Sequence, residues 1–252
     1  MEYIPPLNGD TEDPDRSYVN AVPGVTEGSR PDARALEHPL RELLAAITAA
    51  GVVPNVGDLT QLKQALYARH VLHAEAFTAS GTFIVPAGVT RIWVSATAAG
   101  GGGGGGHTSS YYGGGASSGQ SIIRKGFDVV PGTEIDIVIG GSGPGGAVGL
   151  AGTSGGDTVI GDLITLLGGD GGNPGTASGN GTGGGGSEAL GSNAGSDATT
   201  GLAGRGGDSL LGFGGATRNG NGTSGALGGG GAGGRFNFTG GNGGEGFALV
   251  EY

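Results

Sequence analysis

Gly100-Gly101-Gly102-Gly103-Gly104-Gly105-Gly106, seven glycines in succession just after the strand-like run Ile92-Trp93-Val94-Ser95-Ala96-Thr97, decide how this chain can fold. From residue 100 onward stand 57 of its 64 glycines, and the enrichment lasts to Gly246. Each glycine fixed in ordered structure costs roughly 0.5–1 kcal/mol relative to alanine, so ordering this segment forfeits on the order of tens of kcal/mol. That exceeds the whole net stability of a typical domain, about 5–15 kcal/mol. Either the segment is not fixed, or main-chain hydrogen bonding and close approach offset the loss.

A flexible linker does not need the apolar words set inside the segment: Thr158-Val159-Ile160, Ile164-Thr165-Leu166-Leu167 and the terminal Phe247-Ala248-Leu249-Val250-Glu251-Tyr252 have strand composition. Collagen requires glycine at every third position and abundant proline. Here Gly168, Gly169, Gly171, Gly172, Gly175, Gly179 and Gly181 keep no such period, and Pro131, Pro144 and Pro174 are the only prolines after residue 100. The remaining reading is a compact β domain with polyglycine-rich loops, extended three-residue-per-turn helices that stack where no side chain intervenes.

Composition bounds the rest. Aromatics are 6% and charged residues 13%, so the core is small and aliphatic. The formal charge of −10 leaves no basic footprint, which disfavours nucleic acid as a partner. Cysteine is absent, which excludes disulfides and thiolate chemistry. Met1-Glu2-Tyr3 opens no basic-then-apolar leader, and no run of about 18 apolar residues suggests membrane insertion. Exit from the cell would then come by lysis or by assembly into a particle.

Three regions follow. Residues 1–30, with Pro5, Pro6, Pro14 and Pro23, read as an extended arm. Residues 31–75 read as an α-helical hairpin. Leu40, Leu43, Leu44 and Ile47 share one face, with Pro39 starting the true helix after a turn over 33–38 and Gly51 stopping it. A second helix carries Leu59, Leu62 and Leu66, with Asp58 as N-cap and Gln61 as its reciprocal partner. One apolar stripe per helix is too little for a core unless the stripes meet other chains, which implies oligomerisation. Residues 76–252 read as a small β-sandwich of about seven strands. Phe83-Ile84-Val85 turns through Pro86-Ala87-Gly88 into Ile92-Trp93-Val94, and a similar pair turns at Pro131-Gly132 into the alternating Ile135, Ile137 and Ile139. Residues 157–167 form a hairpin about Gly161-Asp162, and 247–252 close the fold beside the first strand.

The front of the chain, Pro6-Leu7-Asn8-Gly9-Asp10, Tyr18-Val19-Asn20, Glu37-His38-Pro39 and Leu59-Thr60-Gln61-Leu62, resembles the opening module of bacteriophage tail-fibre proteins. The back, Phe83 to Thr90, then Gly100 to Gly106, Val130-Pro131-Gly132 and Gly246 to Tyr252, resembles the glycine-rich receptor-binding domains at fibre tips. This resemblance implies a homotrimeric virion protein. Its N-terminal arm would join other tail or baseplate proteins, and its C-terminal domain would contact a bacterial surface glycan or outer-membrane protein. The chain lacks the long central shaft of many fibres.

No enzyme or cofactor signature stands out. G-x-G-x-x-G matches are trivial among so many glycines, and no G-K-[ST] occurs. His70 and His73 lack the further ligands of a metal site. Asp157, Asp170 and Asp208 keep no nine-residue calcium-roll beat. Asp157, Asp162 and Asp170 could pair for glycan hydrolysis but more simply make turns. The side chains that interrupt the glycines carry the binding reading: His107, Tyr111 and Tyr112 in one block, Arg235, Phe236, Asn237 and Phe238 in another, Phe213 and Arg218 between. Rings beside adaptable polar groups are what binding loops display. Against this, Phe236 and Phe238 could plug the sandwich base. The function expected is a non-enzymatic tail fibre or adhesin, with a structural tail or baseplate component, and then a polysaccharide depolymerase, as alternatives.

Overall fold

A computed structural model describes residues 22–25, 28–30, 33–68, 73–186, 189–217 and 220–252. Most of the expected arm, residues 1–21, lies outside these, as does His70. The chain divides into two compact units, Met1–Leu72 and His73–Tyr252.

In the first unit, Val25 N–H closes a turn on the Val22 carbonyl through Pro23-Gly24 (2.9 Å). Helix α1 (Ala33–Ala49) begins earlier than expected and carries Pro39 inside it. Proline's fixed φ is helical, so the ring removes one bond to the preceding turn without ending the helix, and the Glu37–Arg41 ion pair spans the site. Gly51 stops it at φ 76°, with Val52 N–H reaching back to the Ile47 carbonyl. At the start of α2 (Gln61–Ala68), Asp58 Oδ1 accepts from both Thr60 N–H and Thr60 Oγ1, while Gln61 bonds the Asp58 carbonyl rather than its N–H. Asp58 is thus the capping acceptor as expected, and only the reciprocal bond from Gln61 differs. Leu40 stays 60% exposed and Leu62 40%, and Leu43, Leu44, Leu59 and Leu66 are exposed too. The apolar stripes remain largely uncovered within this unit.

The second unit is mainly β. It holds β1 (Ala74–Phe77), β2 (Gly81–Ile84), β3 (Arg91–Thr97), β4 (Ser121–Asp128), β5 (Glu134–Val138), β6 (Thr158–Ile160), β7 (Ile164–Leu166) and β8 (Phe247–Glu251). Two antiparallel sheets result, ordered β1-β8-β3-β4 and β2-β5-β6-β7. The terminal strand lies between β1 and β3, pairing Ala76 with Leu249 and Val94 with Val250. β2 and β3, like β4 and β5, are joined through Pro/Gly turns with Gly88 and Gly132 at φ 82°, yet each pair divides between the sheets. Alternation sets the faces: Ile135 and Ile137 of β5, Ile92 and Val94 of β3, and Ala248 and Val250 of β8 enter one aliphatic cluster with Phe77, Phe83, Ile160 and Leu166.

Beyond Thr97 the side chains shrink to Ala98 and Ala99 and then vanish, and a different construction begins. Among the described residues, twelve extended segments share main-chain hydrogen bonds: p1 (98–106), p2 (112–120), p3 (140–146), p4 (151–156), p5 (167–175), p6 (181–186), p7 (192–198), p8 (203–208), p9 (213–216), p10 (222–226), p11 (228–234) and p12 (239–246). The bonds repeat every three residues. In p1, Gly101 and Gly104 donate to p2 (Ser117, Gly114), Ala99 and Gly102 to p4 (Gly156, Thr153), and Gly100 and Gly103 to p12 (Gly244, Gly241). Its carbonyls accept from p3 (Gly143 and Gly146 N–H), p5 (Gly169 and Gly172) and p11 (Gly231 and Gly234) with the same period. Thus p1 has six bonded neighbours, as do p2 and p11. The other segments close a ring about these three in the order p3-p4-p5-p6-p7-p8-p9-p10-p12 and back to p3, each bonded to the next.

Close packing explains the composition. At Gly100 to Gly106 a Cβ atom would stand 1.8–2.2 Å from a neighbouring carbonyl oxygen, so no other residue fits any position of that run. The ring segments have one open side, and there every third residue carries a side chain: Gly168-Gly169-Asp170-Gly171-Gly172-Asn173 in p5 and Gly240-Gly241-Asn242-Gly243-Gly244-Glu245 in p12. Those side chains bind the amides that face outward. Asn242 Oδ1 accepts from Gly145 N–H (2.9 Å), Asp157 from Gly168 (2.8 Å), Asp197 from Gly183 (2.7 Å) and Asp208 from Gly214 (2.7 Å).

Gly103→Ala is expected to destabilise the protein by about 3 kcal/mol or more, because backbone must separate to admit the methyl. Gly141→Ala, with nothing within 4 Å of its added carbon, is expected to be neutral or to stabilise by roughly 0.5 kcal/mol. Thermal unfolding of the two variants checks this pair. The hydrogen bonds from Thr60 hold the Asp58 carboxyl below its ordinary value of 3.8. The cap's contribution is therefore complete above about pH 4 and lost as the pH falls through the lowered value, which helical circular dichroism of full-length protein and Asp58→Asn would detect as an acid transition in the first alone.

Candidate binding face

The segments turn back at 107–111, 147–150, 176–180, 199–202, 235–238 and at a sixth turn whose described residues are Thr217, Gly220 and Asn221, and the bonding register puts all six at one end of the bundle. Gly149 N–H reaches the Gly106 carbonyl, Gly175 that of Gly105, Gly181 that of Tyr112 and Gly204 that of Gly113, while Gly106 N–H reaches the Phe238 carbonyl. Groups more than 120 residues apart in sequence therefore share one face, opposite the end at which the sheets join. Positive φ sharpens most of these turns. Gly149 (76°), Gly201 (94°) and Gly220 (131°) supply it at no steric cost, whereas Ser110 (66°) and Asn237 (61°) adopt it against their preference.

Two blocks singled out from the sequence meet here. His107 N–H bonds the Tyr111 carbonyl (2.9 Å), His107 Nδ1 accepts from Ser109 N–H (3.1 Å), and Asn237 N–H bonds the His107 carbonyl (3.3 Å). The Tyr112 and Phe236 rings meet edge to face with centroids 6.2 Å apart, and the Arg235 guanidinium carbon lies 5.6 Å from the Tyr112 centroid and 6.0 Å from that of Phe236. Tyr111 and His107 are half-buried, while Phe236, Asn237 and Phe238 are exposed.

The tyrosines divide in role. Tyr112 is only 7% exposed, clustering with Ala198 and Ala203 at the base of the 199–202 turn, and its N–H bonds Asn180 Oδ1 (3.0 Å). The expectation that it is displayed is corrected: it ties four turns together from beneath. Tyr111 remains at the surface. Phe236 and Phe238 are far from any sandwich base. Phe213 is 77% exposed, but its carbonyl accepts from Ala226 N–H and faces Gly229, level with Gly100. At about 3.1 Å per residue, that is roughly 20 Å below the turns that follow Gly106. Phe213 does not join the face. Arg218 lies outside the described residues. Val148, Leu150, Asn180, Thr200 and Leu202 are on the face without having been singled out, since they lie in turns of no special composition.

Elsewhere, Asp128, Glu134, Asp136 and Asp162 line a cleft of about 400 Å³ beside β5. Among the described residues no group of three or more histidine and acidic side chains is placed to hold a metal ion, and no helix is long and apolar enough to cross a membrane.

A family model described as a glycine-rich domain matches residues 78–252. No curated protein matches the sequence.

Tyr112→Ala is expected to cost about 3 kcal/mol by removing a buried ring beneath the turns. Tyr111→Ala, on the surface of the same turn, is expected to leave the melting temperature unchanged; calorimetry of both variants separates plug from display.

Proposed function

The chain belongs to the glycine-rich domain family, and from that premise we propose that it is a non-enzymatic attachment protein of a bacteriophage tail, recognising a host-cell surface with the six-turn face of its bundle. The observation that carries this reading is the convergence of those turns. A scaffold held mainly by main-chain bonds does not depend on most of the side chains in its turns, which is how rigid frameworks present binding loops. The two sheets act as a β-sandwich base and the twelve segments as a stacked polyglycine helix bundle, with the binding face at the far end. The resemblance of residues 6–62 to the opening module of tail fibres supplies the attachment half of the reading.

The chain acts as a homotrimer through its first unit. The leucines of α1 and α2 left exposed there form stripes that a second and third copy would cover. The arm preceding α1 joins other tail or baseplate proteins, and the mature protein resides in the virion. Hydrolysis receives less support: Asp157 is engaged by Gly168 N–H and Asp170 serves the outward third position of p5, both roles in the scaffold.

Light scattering of the full-length protein is expected to give three chains of 24.1 kDa per particle. The protein is expected to adsorb to cells of a susceptible bacterium, with Tyr111→Ala combined with Phe238→Ala lowering adsorption at least about tenfold at an unchanged melting temperature. A monomer would overturn the trimer. Binding to purified tail subunits with none to cells would favour a structural tail component instead.

A further inference from the structure

The turn face differs in charge from the rest of the molecule. The chain has a formal net charge of −10, yet the described residues of its six turns contain neither aspartate nor glutamate and include His107 and Arg235. Along the chain, the acid closest to any of these turns is Asp197, two residues before Thr199, and its carboxylate already accepts Gly183 N–H on the flank of the bundle. Acids that dress the flank of the bundle leave its turn end as the part of this unit where an approaching anion meets least repulsion.

The groups on the face match that charge with a particular chemistry. Arg235 is positioned by the Tyr112 and Phe236 rings, and a planar guanidinium held in place is suited to phosphate or carboxylate oxygens. Ser109, Thr108 and Thr200 are exposed hydroxyls, and Asn237 offers an amide on a fixed left-handed residue. The exposed rings of Phe236 and Phe238 offer flat apolar surfaces between these polar groups, as the C–H face of a sugar ring requires. The apolar side chains are interrupted by hydroxyls, unlike the continuous apolar centre of a protein–protein contact.

We propose that this face binds an anionic saccharide, a surface glycan carrying phosphate or carboxylate groups. The inference rests on the reading of the turn end as the recognition surface. It adds the chemical class of what is recognised.

The test uses the full-length chain against immobilised bacterial capsules and lipopolysaccharides of three kinds: neutral, uronate-bearing and phosphate-bearing. Binding to the charged kinds, weakening at least about tenfold between roughly 50 and 500 mM salt, is expected. Reduction of carboxyl groups or chemical dephosphorylation then tells which anion is read. Ser109→Asp, which puts an acid on the face without touching the scaffold, is expected to lower apparent affinity tenfold or more. The flank change Asn242→Asp, which adds the same charge away from the face and keeps the acceptor for Gly145 N–H, is expected to retain it, with melting temperatures equal in both variants. Binding confined to neutral glycans, insensitivity to salt, full affinity in Ser109→Asp, or no glycan bound would overturn the proposal. Adsorption to whole cells that is lost when the cells are treated with protease would overturn the saccharide and leave attachment standing. Absence of adsorption to any cell would count against attachment itself.

Discussion

Everything in the larger unit depends on how close one main chain can come to another. Where a Cβ would stand about 2 Å from a neighbouring carbonyl oxygen, glycine is the sole residue that permits the hydrogen bond, and most positions of p1, p2 and p11, each bonded to six neighbours, meet that condition. The conformational freedom lost by ordering so many glycines is offset by an arrangement in which nearly every interior amide finds a partner. Side-chain packing, which organises most domains, is limited among the described residues to the cluster that both sheets supply and the smaller one about Tyr112.

The same constraint orders the sequence from inside to outside. A central segment covered on all sides reads as glycine with few interruptions: p1 runs without one from Gly100 to Gly106, p11 admits only Ala232, and p2 keeps Gly113 to Gly115 before Ala116. A ring segment with one open side reads as two glycines and a visitor, and that visitor is often Asp, Asn, Ser or Thr because an outward amide needs an acceptor. Toward the sheets, Ser117, Ser118 and Gln120 of p2 are buried and hydrogen-bonded to the main chain of p5 and p7 or to Leu167 beyond β7, marking the zone where backbone packing yields to side-chain packing.

Much of this was legible in advance. Gly100 to Gly106 announced close approach, the alternation of Ile135 and Ile137 announced a half-buried strand, and Gly161-Asp162 announced the hairpin. The three-residue period is hidden because it departs from collagen's form, one glycine in three. Here the glycines take two positions and the exception takes the third, visible in 168–173 and 240–245. Strand partners were not legible either: Pro86 to Gly88 and Pro131-Gly132 specify turns, but a turn does not say whether its flanking strands pair or part between two sheets. Tyr111 and Tyr112 are the same residue in adjacent positions, and only the location of Ala198 and Ala203 reveals which one is covered. The meeting of His107 with Asn237 came from the bonding register of segments far apart in sequence, which no local pattern encodes.

The bundle buries amide rather than hydrocarbon, and this bears on how the protein responds to temperature. Exposure of apolar surface raises the heat capacity of unfolding and exposure of polar surface lowers it, so a unit built from packed backbone opens with a small heat-capacity change for its size. Its stability curve is correspondingly shallow: strength declines slowly on cooling as well as on warming, without the pronounced optimum of a greasy core. The bundle would therefore hold its turn face in place with nearly constant stability over a wide span of temperature.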